Sequence, residues 1–143
     1  EADLLDHKEY QAWLQLWHPD GKYIIPVDHD TEDYDNSLNI AYDDAHMREL
    51  RVERLSGGEA VSTQLAGNTV RFISSLRILD ESDGVVSVRC AYCLHENNKN
   101  GVRTYPGTAQ FKLTREGDSF KILQKVVKLM KSDEHLCTVS YLF

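Results

Sequence analysis

The chain of 143 residues has no long apolar run, few cysteines and too few basic residues to balance its acids. No stretch approaches the roughly 20 apolar residues that a membrane-spanning helix needs, which excludes such a helix. Lysine and arginine number 16 against 23 aspartates and glutamates, so the net charge is −7. This acidic balance argues against nucleic acid or an anionic membrane as the main partner. The opening EADLLDHKEY lacks the pattern of a secretory signal, and we expect a cytoplasmic protein.

The three cysteines, Cys90, Cys93 and Cys137, are too few and odd in number for a disulfide framework. Cys90 and Cys93 form a C-x-x-C pattern, but the surrounding GVVSVRCAYCLHE alternates as a strand does. Residues three apart on a strand point to opposite faces, so these two thiols cannot share a metal. We therefore expect two ordinary buried or half-buried cysteines.

The N-terminal segment predicts helices. Asp6 to Glu9 has the form of a capping box, after which a stripe with helical spacing follows (Tyr10, Trp13, Leu14 and Trp17). His-Pro-Asp-Gly then predicts a helix end, with His18 as a turn residue and both tryptophans in the core. Next, KYIIPV predicts a strand that stops pairing at Pro26, and the acidic DHDTEDYDN predicts a loop.

A further helix is predicted from about Asp44 to Leu55, with Met47, Leu50 and Leu55 on its buried side and Gly57-Gly58 as its end. Four long β-like runs follow, separated by the hairpin signals DESDG, NNKNG and GD, and LCTVSYLF predicts a last short strand. Helices followed by a strand meander predict one α+β domain over residues 1–143, a curved antiparallel sheet with N-terminal helices on one face.

The run SFKILQKVVKLMK predicts an oligomer, because neither of its faces is polar. Strict alternation places Phe120, Ile122, Val126 and Met130 on one side and Leu123, Val127 and Leu129 on the other. Helices can cover only one face of a sheet, so we expect a second chain on the other face and a homotrimer in isolation.

Several segments, taken together in their order, resemble one known family. EADLLDHKEYQAWLQLWHPDGKYIIPV, IAYDDAHMRELRVERLSGGEA, NTVRFISSLRI and GDSFKILQKVVKL are similar to successive blocks of the small (beta) subunits of bacterial aromatic-ring-hydroxylating dioxygenases. The chain departs from that pattern at Arg71, where the family has histidine, at Ser75, and at Ala109 and Phe111.

The resemblance implies a cone-shaped, cystatin-like fold of the kind found in nuclear transport factor 2, scytalone dehydratase and ketosteroid isomerase. It implies a mainly structural subunit, paired with a large (alpha) subunit that carries a Rieske iron–sulfur cluster and a mononuclear iron. On this chain itself we expect no catalytic, cofactor or metal site. Indeed, the six histidines show neither the Rieske spacing nor a helical pair, and Asp43 to His46 comes nearest to a metal cluster.

An alternative function is a stand-alone lyase or isomerase, or a small-molecule-binding protein, with a hydrophobic pocket lined by Tyr23, Arg71 and Tyr92. Arginine does not lose its proton at ordinary pH, so Arg71 cannot be a general acid or base. It can bind a carboxylate or polarise a carbonyl, or it can pair with a buried acid such as Asp43 or Asp44, or with an acid of a neighbouring chain. The sequence leaves these roles open.

Overall fold

The fold is described from a computed structural model over residues 1–57, 68–98, 101–130 and 142–143. This part of the chain contains three helices: α1 (Ala2–Asp6), α2 (Tyr10–Leu14) and α3 (Ala45–Ser56). Its strands are β1 (Trp17–Pro26), β2 (Asn39–Asp43), β3 (Asn68–Ser82), β4 (Val85–Asn98), β5 (Gly101–Glu116) and β6 (Ser119–Leu129).

All described strands join one sheet in the order β2-β1-β6-β5-β4-β3. The expected meander is confirmed, with Asp83-Gly84 and Gly117 at positive φ in two of its turns. The sheet is not purely antiparallel as predicted, because β1 and β6 run parallel. This parallel pair joins the N-terminal hairpin to the end of the meander. The alpha+beta class is confirmed, and the predicted last strand LCTVSYLF falls mostly outside the described residues.

His18 to Gly21 is not the predicted helix end but part of β1. Trp17 pairs with Ile122 and Lys22 with Gln124, so the intervening residues of β1 bulge out of the parallel ladder. Pro19, which has no N–H to donate, lies in this bulge, and the Asp20 N–H donates to His18 Nδ1 at 3.2 Å. The prediction was wrong because proline and glycine are typical of strand bulges as well as of turns.

The predicted capping box at Asp6 is also wrong, because Asp6 is the last residue of α1. The chain turns at Lys8, whose φ is 60°, and α2 begins after Glu9 without a side-chain cap. The Asp6 carboxylate instead accepts hydrogen bonds from β3, because a buried cation on that strand attracts it. The apolar stripe predicted for one helix is therefore divided between two elements, and its last residue, Trp17, belongs to β1.

Helix α3 matches its predicted bounds, and the Asp44 carboxylate caps it by accepting from the Met47 N–H at 2.9 Å. Its buried residues are Arg48 and Val52, not Met47, which is exposed. Arg48 was missed because its long stem packs in the interior while its guanidinium lies 4.3 Å from the Trp17 ring and donates to the Gly21 carbonyl.

Strand β6 contains an extra residue that changes which of its side chains face the helices. Gln124 pairs with Lys112 but Ile122 pairs with Leu113, so Leu123 bulges. Ile122 therefore shares the core face with Val127 and Leu129, against the strict alternation expected from the sequence.

The opposite face of β1 and β6 is partly covered by the chain itself. Ile24 and Val126 there are 1% and 2% exposed. Ile24 borders the acidic loop, and Lys128 Nζ donates to the Thr31 carbonyl at 2.9 Å and to Glu32 Oε1 at 2.6 Å. The two-sided apolar pattern of β6 therefore does not by itself require a second chain.

The hydrophobic core lies between the helices and the inner face of the curved sheet. Trp13 and Trp17 pack edge-to-face at 5.3 Å between ring centroids, and each also contacts Tyr23. Leu5 and Val52 bring α1 and α3 into the same core, which confirms the predicted place of the tryptophans. Among the described helices, none is long and apolar enough to span a bilayer.

Candidate functional site

The three residues proposed from the sequence as pocket-lining, Tyr23, Arg71 and Tyr92, do meet on the inner face of the sheet. They come from β1, β3 and β4. The space between them is occupied by the chain itself, through Leu142 and Phe143, both fully buried. We call Tyr23, Arg71, Tyr92, Lys125, Leu142 and Phe143 the central cluster.

Arg71 pairs with a buried acid, as one of the hypotheses held. The acid is Asp6 rather than the predicted Asp43 or Asp44: its Oδ1 accepts from Arg71 Nη1 and its Oδ2 from the Arg71 N–H at 2.8 Å. Arg71 Nη2 donates to the Leu142 carbonyl. These contacts fix α1 and Leu142 against β3. The sequence did not identify Asp6 because it lies 65 residues from its partner.

Lys125 is the second buried cation of the central cluster and was not predicted. Its ammonium donates to both Glu1 carboxylate oxygens, at 2.8 and 3.0 Å, and to the Phe143 carbonyl at 2.5 Å. Burial lowers the pKa of Lys125, while the Glu1 charge opposes that shift. One signal in the sequence could have indicated this position. Once the bulge at Leu123 is taken into account, the alternation of side chains along the strand places this lysine on the core face.

Neither tyrosine of the central cluster is poised for proton transfer. Burial raises the pKa of both Tyr23 and Tyr92, so both hydroxyls keep their protons at neutral pH. The Tyr23 hydroxyl accepts from the Phe143 N–H at 2.9 Å. The Tyr92 hydroxyl lies near Arg71 but makes no hydrogen bond of good geometry within the described residues. The central cluster can thus hold peptide groups but contains no evident general base.

The other candidate residues have structural roles. Asp43 accepts from Arg51 Nε and Nη2 at 2.6 and 2.9 Å, and Asp44 caps α3. The carboxylates of the segment that most resembles a metal-binding cluster are therefore already hydrogen-bonded within the protein. Cys90 is buried and Cys93 half-buried, and neither is in a disulfide. Within the described ranges, no group of three or more His, Cys, Asp or Glu side chains is arranged to hold a metal. His135 and Cys137 lie outside these ranges.

The edge strand β3 carries large apolar side chains that are exposed to solvent. Phe72 is 58% and Leu76 67% exposed. Three more of its side chains are exposed to a similar extent: Val70, Ile78 and Leu79. Apolar exposure along an edge strand is uncommon in a protein that acts as a monomer. This surface was not singled out from the sequence, because alternation alone does not tell which strand will lie at the edge.

Comparison with known proteins agrees with this fold. The family model for the ring hydroxylating beta subunit matches residues 1–133. Toluate 1,2-dioxygenase subunit beta of Pseudomonas putida is 32% identical over 94 residues, which are 62% of this chain and 58% of that relative. The beta subunit of benzoate 1,2-dioxygenase from Burkholderia mallei superposes with a TM-score of 0.78 at 22% identity, over 99% of this chain and 89% of that one.

The expected cystatin-like fold is confirmed as well. A nuclear transport factor 2-like protein with a cystatin-like fold from Novosphingobium aromaticivorans has a TM-score of 0.63 at 12% identity, covering 91% of this chain and 75% of that structure. At such low identity the likeness shows the fold alone. The family match spans nearly all of the chain, and the chain therefore belongs to the family of ring-hydroxylating dioxygenase beta subunits.

Proposed function

We propose that this chain is the small, mainly structural subunit of a Rieske non-haem iron dioxygenase that hydroxylates aromatic rings in aromatic catabolism. The observation that carries the proposal is the family match over residues 1–133. The Rieske cluster and the mononuclear iron belong, in this proposal, to a large subunit, and the assembly is cytoplasmic. Neither nucleic acid nor a membrane is a partner.

The central cluster supports a structural role. A substrate would need the space that Leu142 and Phe143 occupy, and both buried cations are already paired with carboxylates. The buried tyrosines keep their protons, so no described group there is suited to abstract one. The alternative, a stand-alone lyase or isomerase, therefore has less support than the subunit role.

Reconstitution tests this proposal. The large (alpha) subunit that this proposal implies is produced with and without this chain, and aromatic dihydroxylation is measured with the cognate electron-transfer proteins. We expect turnover only where the large chain is present, and a higher yield of active large chain when both are produced together. Dehydratase or isomerase turnover by this chain alone would contradict the proposal.

We further propose that the chain forms a homotrimer. Support comes from the exposed apolar surface of β3, where several large side chains are accessible to a second chain. Light scattering of the purified chain at micromolar concentration should give three times the 16.4 kDa of one chain. A monomer at that concentration would refute the homotrimer, and the proposed pairing with a large subunit would not be affected by that result.

A further inference from the structure

A cysteine and a histidine lie within hydrogen-bonding distance of each other on the outer face of the sheet, away from the central cluster. Cys93 and His95 are two residues apart on β4, and Tyr92 and Leu94, which alternate with them, face the core. Cys93 Sγ lies 3.5 Å from His95 Nε2. His95 Nδ1 lies 3.2 Å from the hydroxyl of Thr104, which is opposite His95 on β5.

The two contacts of His95 allow it to take a proton from the thiol. When the Nδ1–H donates to the Thr104 hydroxyl, Nε2 presents its lone pair to Cys93. The thiol proton can then move to Nε2, and the thiolate that remains is the nucleophilic form of cysteine. Cys90 differs in both respects. It is buried, which raises its pKa, and its thiol donates to the Ala109 carbonyl, a group that cannot take the proton.

The surface around Cys93 and His95 is apolar. On β3, Phe72 is opposite Cys93 and Val70 is opposite His95, and both apolar side chains are exposed. The Phe72 ring lies edge-to-face with the His95 ring at 5.2 Å between centroids. On β5, Pro106 is opposite Cys93. None of the residues opposite the pair on these two strands is charged, so the surface favours an apolar reagent over a charged one.

We propose that Cys93 is a nucleophilic site that adds to apolar α,β-unsaturated carbonyl compounds, with His95 as its base and Thr104 positioning the imidazole. The site goes beyond the structural function proposed above and does not depend on it. The sulfur attacks the β-carbon, so that a C–S bond forms while the π bond of the conjugated C=C breaks. The proton that the thiol gave to His95 then passes to the α-carbon, and a thioether forms without an oxidant or a reductant.

The test measures the rate at which N-ethylmaleimide, an apolar probe of this class, adds to each cysteine of the native chain, with the sites assigned by peptide mass spectrometry. At pH 7 we expect Cys93 to react roughly tenfold faster in the wild type than in His95→Gln, because only a few per cent of an ordinary thiol is ionised there. Thr104→Val should lie between the two. Cys90 in the same sample is the control and should remain unmodified.

The pH profile separates proton transfer from simple exposure of the thiol. Near pH 10, above the ordinary thiol pKa of about 8.5, hydroxide replaces the base and the three rates should converge. Equal rates at pH 7, or a difference that persists at pH 10, would overturn the proposal. So would protection of Cys93 in the native chain, for example by a homotrimer contact that includes Phe72. None of these results would affect the proposed pairing with a large subunit.

Discussion

At the residue scale, the ion pair between Arg71 and Asp6 connects the end of α1 to β3. Arg71→Leu removes the guanidinium and leaves a largely buried carboxylate without its cation. We expect the free energy of unfolding to fall by roughly 3–5 kcal/mol, measured by urea denaturation at one fixed protein concentration.

The matched control for this change is Arg77→Leu, since Arg77 lies on the same strand with an exposed side chain. A surface change of this kind should stay within about 0.5 kcal/mol. The double variant Asp6→Leu, Arg71→Leu should recover part of the loss, because it leaves no unpaired charge. Equal losses for Arg71→Leu and Arg77→Leu would show that the pair does not form.

The two buried tyrosines give a second residue-scale comparison. Tyr23→Phe removes the hydroxyl that accepts from the Phe143 N–H, and we expect a loss of about 1 kcal/mol. Tyr92→Phe removes a buried hydroxyl without a hydrogen bond of good geometry, so stability should be unchanged or slightly higher. Chemical denaturation of both variants side by side makes this test, and a greater loss for Tyr92→Phe than for Tyr23→Phe would contradict the described contacts.

At the element scale, the parallel pairing of β1 and β6 depends on a glycine in the β1 bulge. A Cβ on Gly21 would lie 2.7 Å from the Ile122 carbonyl oxygen, a backbone atom that cannot move easily. Gly21→Ala should therefore lower the free energy of unfolding by roughly 1–3 kcal/mol. Asp20→Ala, an exposed neighbour in the same bulge, is the control and should have little effect. Similar stability of the two variants would mean that the strands approach less closely.

The acidic loop is held on the outer face of β6 by Glu32 and Lys128, and this contact should depend on pH. The hydrogen bond from Lys128 lowers the pKa of Glu32. A lowered carboxyl pKa adds stability above the unfolded-state pKa of about 4.3, and that stability is lost as the pH falls through the folded-state value.

Glu32→Gln removes this pH-dependent contribution. Because Glu32 is 72% exposed, the wild-type advantage at pH 7 should be only about 0.5–1 kcal/mol, and it should vanish near pH 3. Glu53→Gln on the exposed face of α3 serves as the control. Denaturant unfolding at pH 7, 5 and 3 makes the comparison, and an advantage that persists at pH 3 would exclude this cause.

At the scale of the whole molecule, local patterns in the sequence identified the elements but not the contacts between distant segments. The meander and α3 were predictable because their hairpin and capping signals are local. The bulge at Leu123 and the parallel β1–β6 pair depend on which strands become neighbours, and Pro19 and Gly21 serve a bulge as well as a turn.

The central cluster shows the same division. Tyr23, Arg71 and Tyr92 were recognised as neighbours through the family resemblance, whereas Lys125 and Asp6 were missed. Charged residues near helix ends and in strands usually face solvent, and only the three-dimensional pairing of Asp6 with Arg71 and of Glu1 with Lys125 makes their burial tolerable. That Phe143 fills the predicted pocket could not be seen from local pattern at all.

The central claim, that this chain serves as the small subunit of a ring-hydroxylating dioxygenase, is tested most directly by native mass spectrometry. The chain is co-expressed with the affinity-tagged large (alpha) subunit that the proposed function implies, and the mass of the purified complex is measured without denaturation. The account predicts an assembly with the two chains in equal numbers, three of each. A tagged large chain that assembles without this one, while the 16.4 kDa chain is recovered alone in the unbound fraction, would contradict it.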